Sequence, residues 1–179
     1  MMLLSNQQKY LLEVLETLGG ATLRQLTDLL RPVFCAEKPE VAPRIVHAAI
    51  RQMSLCNVDL CRDGELVFLP GRRPREDLLE AIDVMLQLSE ANPLSYACGK
   101  PPILLRFSVQ EQKVRTFAVI HSAVDVYGSE FHQTERIILL FDGRDKAPVL
   151  PVSNKQFVAV RQEDGTHRFF AVDGGSQRR

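Results

Sequence analysis

A chain of 179 residues, 45% hydrophobic and 25% charged, has the balance of a globular protein with room for one fair-sized domain or two small ones. Its 22 basic and 22 acidic residues cancel, which excludes a protein that coats nucleic acid by bulk charge but allows a local basic stripe. No apolar run is long enough to span a bilayer, and the start, MMLLSNQQKY, lacks the features of a secretory signal, so no membrane partner and a cytoplasmic location are expected.

The first element predicted is a helix over 6–18, capped by Ser5, with Tyr10, Leu11, Val14, Leu15 and Leu18 on one stripe. Gly19 and Gly20 are expected to end it, since glycine accepts the left-handed backbone past a helix C-terminus. Thr22 caps a second helix over 23–30, with Leu23, Leu26, Leu29 and Leu30 turned inward and Pro32 marking its end. A connector over 31–38 carries Val33 and Phe34 as apolar anchors. A third helix follows over 39–54, with Ile45, Val46, Ala49, Ile50 and Met53 on its inner face. Strands over 58–62 and 65–69 flank an Asp63-Gly64 turn, a strong hairpin signal. Three helices followed by a hairpin is the order of a winged helix-turn-helix.

Pro70 and Gly71 break the chain before Arg72, Arg73 and Arg75. Pro74, Glu76 and Asp77 then suit the start of a fourth helix running to about residue 89. Its broad apolar surface (Leu78, Leu79, Ile82, Met85, Leu86, Leu88) can close the first domain, bridge to the next unit or pair with a second copy. Residues 90–102 read as a linker. Strands are expected over 103–109, 114–121, 136–141, 156–161 and 167–172, the last two joined at Asp164-Gly165. A short helix over 123–131 can cross the sheet, and 174–179 read as a frayed tail.

The third helix carries the sharpest chemical signal. Glu40, Arg44, His47 and Arg51 recur at spacings of four, three and four, which places them on one face opposite the apolar stripe. A helix so equipped can enter a major groove, where base edges present acceptors. Arg24, with Gln25, is expected near the flanking backbone and Arg62 at the wing tip. Arg72 and Arg73 (with Arg75) form a basic cluster for phosphate. Residues 1–75 hold ten basic and eight acidic side chains, a net of +2, and the remainder is −2.

Catalytic patterns are weak. Glu111 and Lys113 make an ExK, the carboxylate and lysine a Mg²⁺ nuclease uses, but they sit in a polar turn and no aspartate occurs in 90–110. Asp125 and Asp142 lie near strand ends, His121 and His132 are isolated, and Ser122 and Ser129 lack a nucleophile-elbow pattern. No phosphate-binding glycine loop is present. Cys35, Cys56, Cys61 and Cys98 form no CxxC pair, so free thiols are expected, the first three as small buried hydrophobes, with no metal and no cofactor. The chain is read as a non-enzyme.

The opening QQKYLLEVLETLGGATLRQLTDLL, the further helix, the hairpin and the small sheet domain together resemble bacterial replication-relaxation and plasmid-mobilisation accessory proteins and related winged-helix proteins of Firmicutes and their conjugative elements. The resemblance implies an N-terminal DNA-binding winged helix with Arg44, His47 and Arg51 at the recognition-helix position. It further implies a nuclease-like C-terminal core whose catalytic residues are often lost, left to dimerisation or partner docking.

The expected architecture is α+β: a winged helix-turn-helix over 1–72, a connecting helix and linker over 73–99, and a small, mainly antiparallel sheet domain over 100–179. The expected function is double-stranded DNA binding by a homodimer, in transcriptional control or mobile-element maintenance. The alternative is a non-enzymatic adaptor that uses the winged helix as a scaffold for protein contacts.

Overall fold

The computed structural model describes residues 3–121, 131–141 and 150–172. Among them stand four α-helices and two sheets, a mixed α+β fold. The expected helix over 123–131, save Phe131, and the tail over 174–179 lie outside the described residues, as do Ser122, Asp125, Ser129 and Asp142. No helix among the described residues is long and apolar enough to cross a membrane.

α1 (Asn6–Leu18) starts at Ser5 and stops at Gly19, whose φ of 79° requires glycine-like freedom. Ser5 and Gln8 form a reciprocal capping box, and so do Thr22 and Gln25 at the start of α2 (Leu23–Phe34). Gln8 also bonds Gln52 across the helices, and Tyr10 donates its hydroxyl to the carbonyl of Leu29. α2 runs four residues beyond the expected end. Pro32 lies in its final turn, where one backbone hydrogen bond is lost but Cys35 N–H still reaches the Arg31 carbonyl. Of the two anchors expected in the connector, Phe34 packs edge-on against Tyr10, whereas Val33 is 52% exposed.

A 3-10 turn (Pro39–Val41) leads directly into α3 (Ala42–Leu55), whose buried residues are Ala42, Val46, Ala49, Ile50 and Met53. β1 (Gly20–Thr22), β2 (Cys61–Asp63) and β3 (Leu66–Phe68) form an antiparallel sheet in the order β1-β3-β2. Asp63 pairs with Leu66, so the hairpin turns on Gly64-Glu65, one residue later than expected. Only Gly64 has a positive φ there, 58°, which suits a glycine in the first central position of the turn. Gly20 has no room for a side chain: a Cβ would lie 2.6 Å from Phe68 Cβ and 2.8 Å from Pro74 Cδ.

α4 (Glu76–Leu88) lies on one face of a six-stranded sheet: β4 (Ser95–Cys98), β5 (Ile103–Gln110), β6 (Val114–His121), β7 (Arg136–Phe141), β8 (Gln156–Arg161) and β9 (His167–Val172), ordered as in sequence. β4 falls inside the expected linker, pairing with β5 through Ser95↔Ser108 to Cys98↔Leu105. The sheet is antiparallel at its edges, but β6-β7 and β7-β8 are parallel. The sheet is thus mainly antiparallel, as expected, with a parallel centre that was not. β7 is buried through four successive residues because both faces are covered, as parallel strands require.

One apolar cluster runs from Leu11 and Leu15 of α1 through Ile82 and Met85 of α4 to Leu105, Phe117 and Ile138 of the sheet. A second, with Ile120, Ile137, Leu139 and Val158, lies on the other face. Of the three uses open to the apolar surface of α4, the packing takes the first two: it closes on the helices and bridges them to the sheet.

Candidate nucleic-acid interface

Burying Val46, Ala49, Ile50 and Met53 turns the opposite side of α3 to solvent, and Arg44, His47 and Arg51 are all exposed there. α3 contains no carboxylate, and none of these three side chains has an ion-pair partner among the described residues. Arg62 on β2 is exposed as well, with Nε donating to the Gly64 carbonyl at 2.9 Å across the turn. His47, Arg51 and Arg62 meet around a cleft of about 450 Å³ between α3 and the β2–β3 hairpin. Arg44 lies one turn before His47 on the same side.

The remaining basic residues of the expected set are committed elsewhere. Arg24 binds Asp83 of α4 at 2.5 Å and Asp28 at 3.7 Å, and Gln25 donates to Asp83 and to the Leu79 carbonyl. Both therefore tie α2 to α4, Gln25 from a buried position and Arg24 from an exposed one. Arg72 donates to the Glu16 carbonyl at 3.1 Å. Arg73 pairs with Asp63 at 2.6 Å and lies 5.7 Å from the Phe68 ring centroid, and Arg75 pairs with Asp77 at 2.6 Å. These contacts tie the segment after β3 to α1, the hairpin and the start of α4, while Arg72, Arg73 and Arg75 all stay exposed. Of the seven basic residues singled out, His47, Arg51 and Arg62 line one cleft with Arg44 a turn before His47, while Arg24, Arg72 and Arg73 make contacts to Asp83, the Glu16 carbonyl and Asp63.

The other chemical candidates resolve simply. Glu111 and Lys113 occupy the exposed turn between β5 and β6, and Glu111 pairs with Arg115 at 2.6 Å. His132 uses its backbone to hold Glu135 and Asn154. Cys35 is buried as expected, but Cys56 and Cys61 are only half-buried and Cys98 is exposed. No group of three or more His, Cys, Asp or Glu among the described residues is placed to hold a metal ion.

One polar cluster was invisible in the sequence. His167 has a fully buried ring whose Nε2 lies 3.1 Å from Glu80 of α4, and its backbone N–H and C=O both bond the Gln87 side chain. The hydrogen bond from His167 holds the Glu80 carboxyl below its usual range, aided by the charges of Arg161 and His121 against partial burial. An ionised carboxylate only accepts, so Nε2 carries the proton and Nδ1 is left buried without a partner among the described residues. A carboxyl lowered by folding contributes stability that is complete above the ordinary glutamate range and is lost as pH falls through the lowered value. Glu80→Gln should flatten that acid limb in urea titrations across pH; an unchanged limb would show the pair to be energetically silent.

No protein-family model matches this chain, and no solved structure matches it significantly.

Proposed function

We propose that α1, α2, α3 and the β1-β3-β2 sheet form a winged helix-turn-helix that binds duplex DNA, with α3 in the major groove and the β2–β3 hairpin at the adjacent backbone. The observation that carries this reading is the exposed surface of Arg44, His47, Arg51 and Arg62 on α3 and the hairpin, none of which has an ion-pair partner among the described residues. The strand order, with β1 pairing β3 and β3 pairing β2 beside three helices, supports it as a scaffold. Arg44 and Arg51 are seven residues apart, about 10 Å along the helix, which matches the rise of about three base pairs. Arginine at such positions binds guanine O6 and N7 or bridges to phosphate. The setting implied by the resemblance is transcriptional control or mobile-element maintenance.

A single helix of this size specifies little sequence, so the proposal includes two copies on paired half-sites. Because the apolar surface of α4 packs within the chain, their contact would use another surface. The stoichiometry of the DNA complex reads this directly.

Gel shifts on random and genomic duplexes across a salt series test the reading. The Arg44→Ala/Arg51→Ala double variant should weaken binding on the order of 100-fold and lower the salt slope by about two. Binding that ignores salt, or is unchanged in that variant, would leave the adaptor reading in its place.

A further inference from the structure

The cleft between α3 and the hairpin has a floor that a phosphate backbone does not use. Beneath it Leu23, Ile50 and Val67 are buried, and the apolar surface left open to a ligand is that of Leu55, 75% exposed, with half-buried Leu60 and Cys61. The rim carries His47, Arg51 and Arg62, and no carboxylate lines it among the described residues. Duplex DNA needs the rim cations but gains nothing from the apolar floor. An uncharged apolar ligand has the opposite deficiency. A molecule with both parts, an apolar body ending in one anionic group, satisfies the whole cleft. The volume of about 450 Å³ lies within the range of small-molecule sites.

We propose that this cleft binds an amphipathic carboxylic acid, its apolar chain over Leu55, Leu60 and Cys61 and its carboxylate between Arg51 and Arg62. Guanidinium groups suit a planar carboxylate because their paired N–H donors match its two oxygens. His47, Arg51 and Arg62 belong to the proposed DNA face, so the acid and a duplex compete for them. That competition rests on the DNA reading; the binding of the acid does not.

The test is isothermal titration of the full chain with decanoate, with decyltrimethylammonium as a probe of equal tail and opposite charge. Decanoate should bind saturably at one site, about tenfold or more tighter than the cation, the effect of one charge-assisted contact. Arg51→Gln/Arg62→Gln should erase that preference, and Leu55→Glu should weaken decanoate without altering the fold, since all three side chains are exposed. Equal affinity for the two headgroups, or decanoate binding unchanged by the double variant, would overturn the proposal. In a second arm, decanoate should release a bound labelled duplex, and simultaneous binding of both would overturn the competition. Should no duplex bind at all, the DNA reading fails while the titration without DNA still decides the ligand site.

Discussion

Replacing Glu135 by alanine should destabilise the protein by about 3–5 kcal/mol, the range found when one partner of a buried ion pair is removed. Glu135 is 2% exposed, yet it carries a carboxylate just before β7. One oxygen accepts from Arg106 Nε of β5 at 2.9 Å and the other from the His132 N–H at 3.2 Å. Its backbone joins the same knot: the Glu135 N–H donates to the His132 carbonyl, and Asn154 bridges the carbonyls of both residues. The pair therefore fixes the approach to β7 against β5, with β6 between them in the sheet. Truncation leaves the Arg106 guanidinium in a partly buried site without that carboxylate. The companion Arg106→Met/Glu135→Leu variant should recover much of the loss, because apolar residues of similar volume avoid the desolvation cost. Urea unfolding measures both. A cost below about 1 kcal/mol for Glu135→Ala would put the pair in the class of exposed salt bridges.

The first helices were legible because their signals are local. Ser5, Thr22 and Gly19 stand where caps belong, and the leucines between them repeat at helical spacing. Gln8 and Gln25, three residues after each cap, complete a capping-box pattern that was equally readable and was missed. Pro32 misled because a proline in the last turn costs one hydrogen bond, while the packing of Leu29 and Leu30 favours continuing. The parallel centre of the sheet also had a signal. The unbroken run Ile137-Ile138-Leu139-Leu140 is apolar toward both faces, and the connections on either side of β7 are long enough for crossovers. β4 was hidden because its residues, Tyr96 apart, are exposed, with proline and glycine close on either side.

The candidate site divides along the same line. The face of α3 follows from spacing alone, so Arg44, His47 and Arg51 could be found without partners. The contacts of Arg24 and Arg72 were not legible because they are set by tertiary structure: Asp83 is 59 residues from Arg24, and the Glu16 carbonyl is 56 from Arg72. Glu80 and His167, 87 residues apart, were beyond reach for the same reason.

Met85→Ala should cost about 2–5 kcal/mol, and the loss should appear equally in α1 and β7. Met85 is fully buried on α4 and belongs to the apolar cluster that holds residues of α1, α2 and the long sheet. α4 packs against α2 and β1 as well as β5, β6 and β7, so it belongs to one continuous core that includes residues from both sides. A truncation there removes apolar contact from both and opens a cavity neither can close alone. Hydrogen exchange separates the possibilities. If the helices and the sheet unfold as one unit, the opening free energies of the slowest amides in α1 and in β7 fall together by the same amount. If residues 73–99 act only as a connector between two independent domains, one set falls and the other holds. The shared core favours the first result, and with it a mechanical consequence for the proposed DNA-binding module: its α2, bracketed to α4 through Arg24, Gln25 and Asp83, cannot shift without disturbing the helix that covers the sheet.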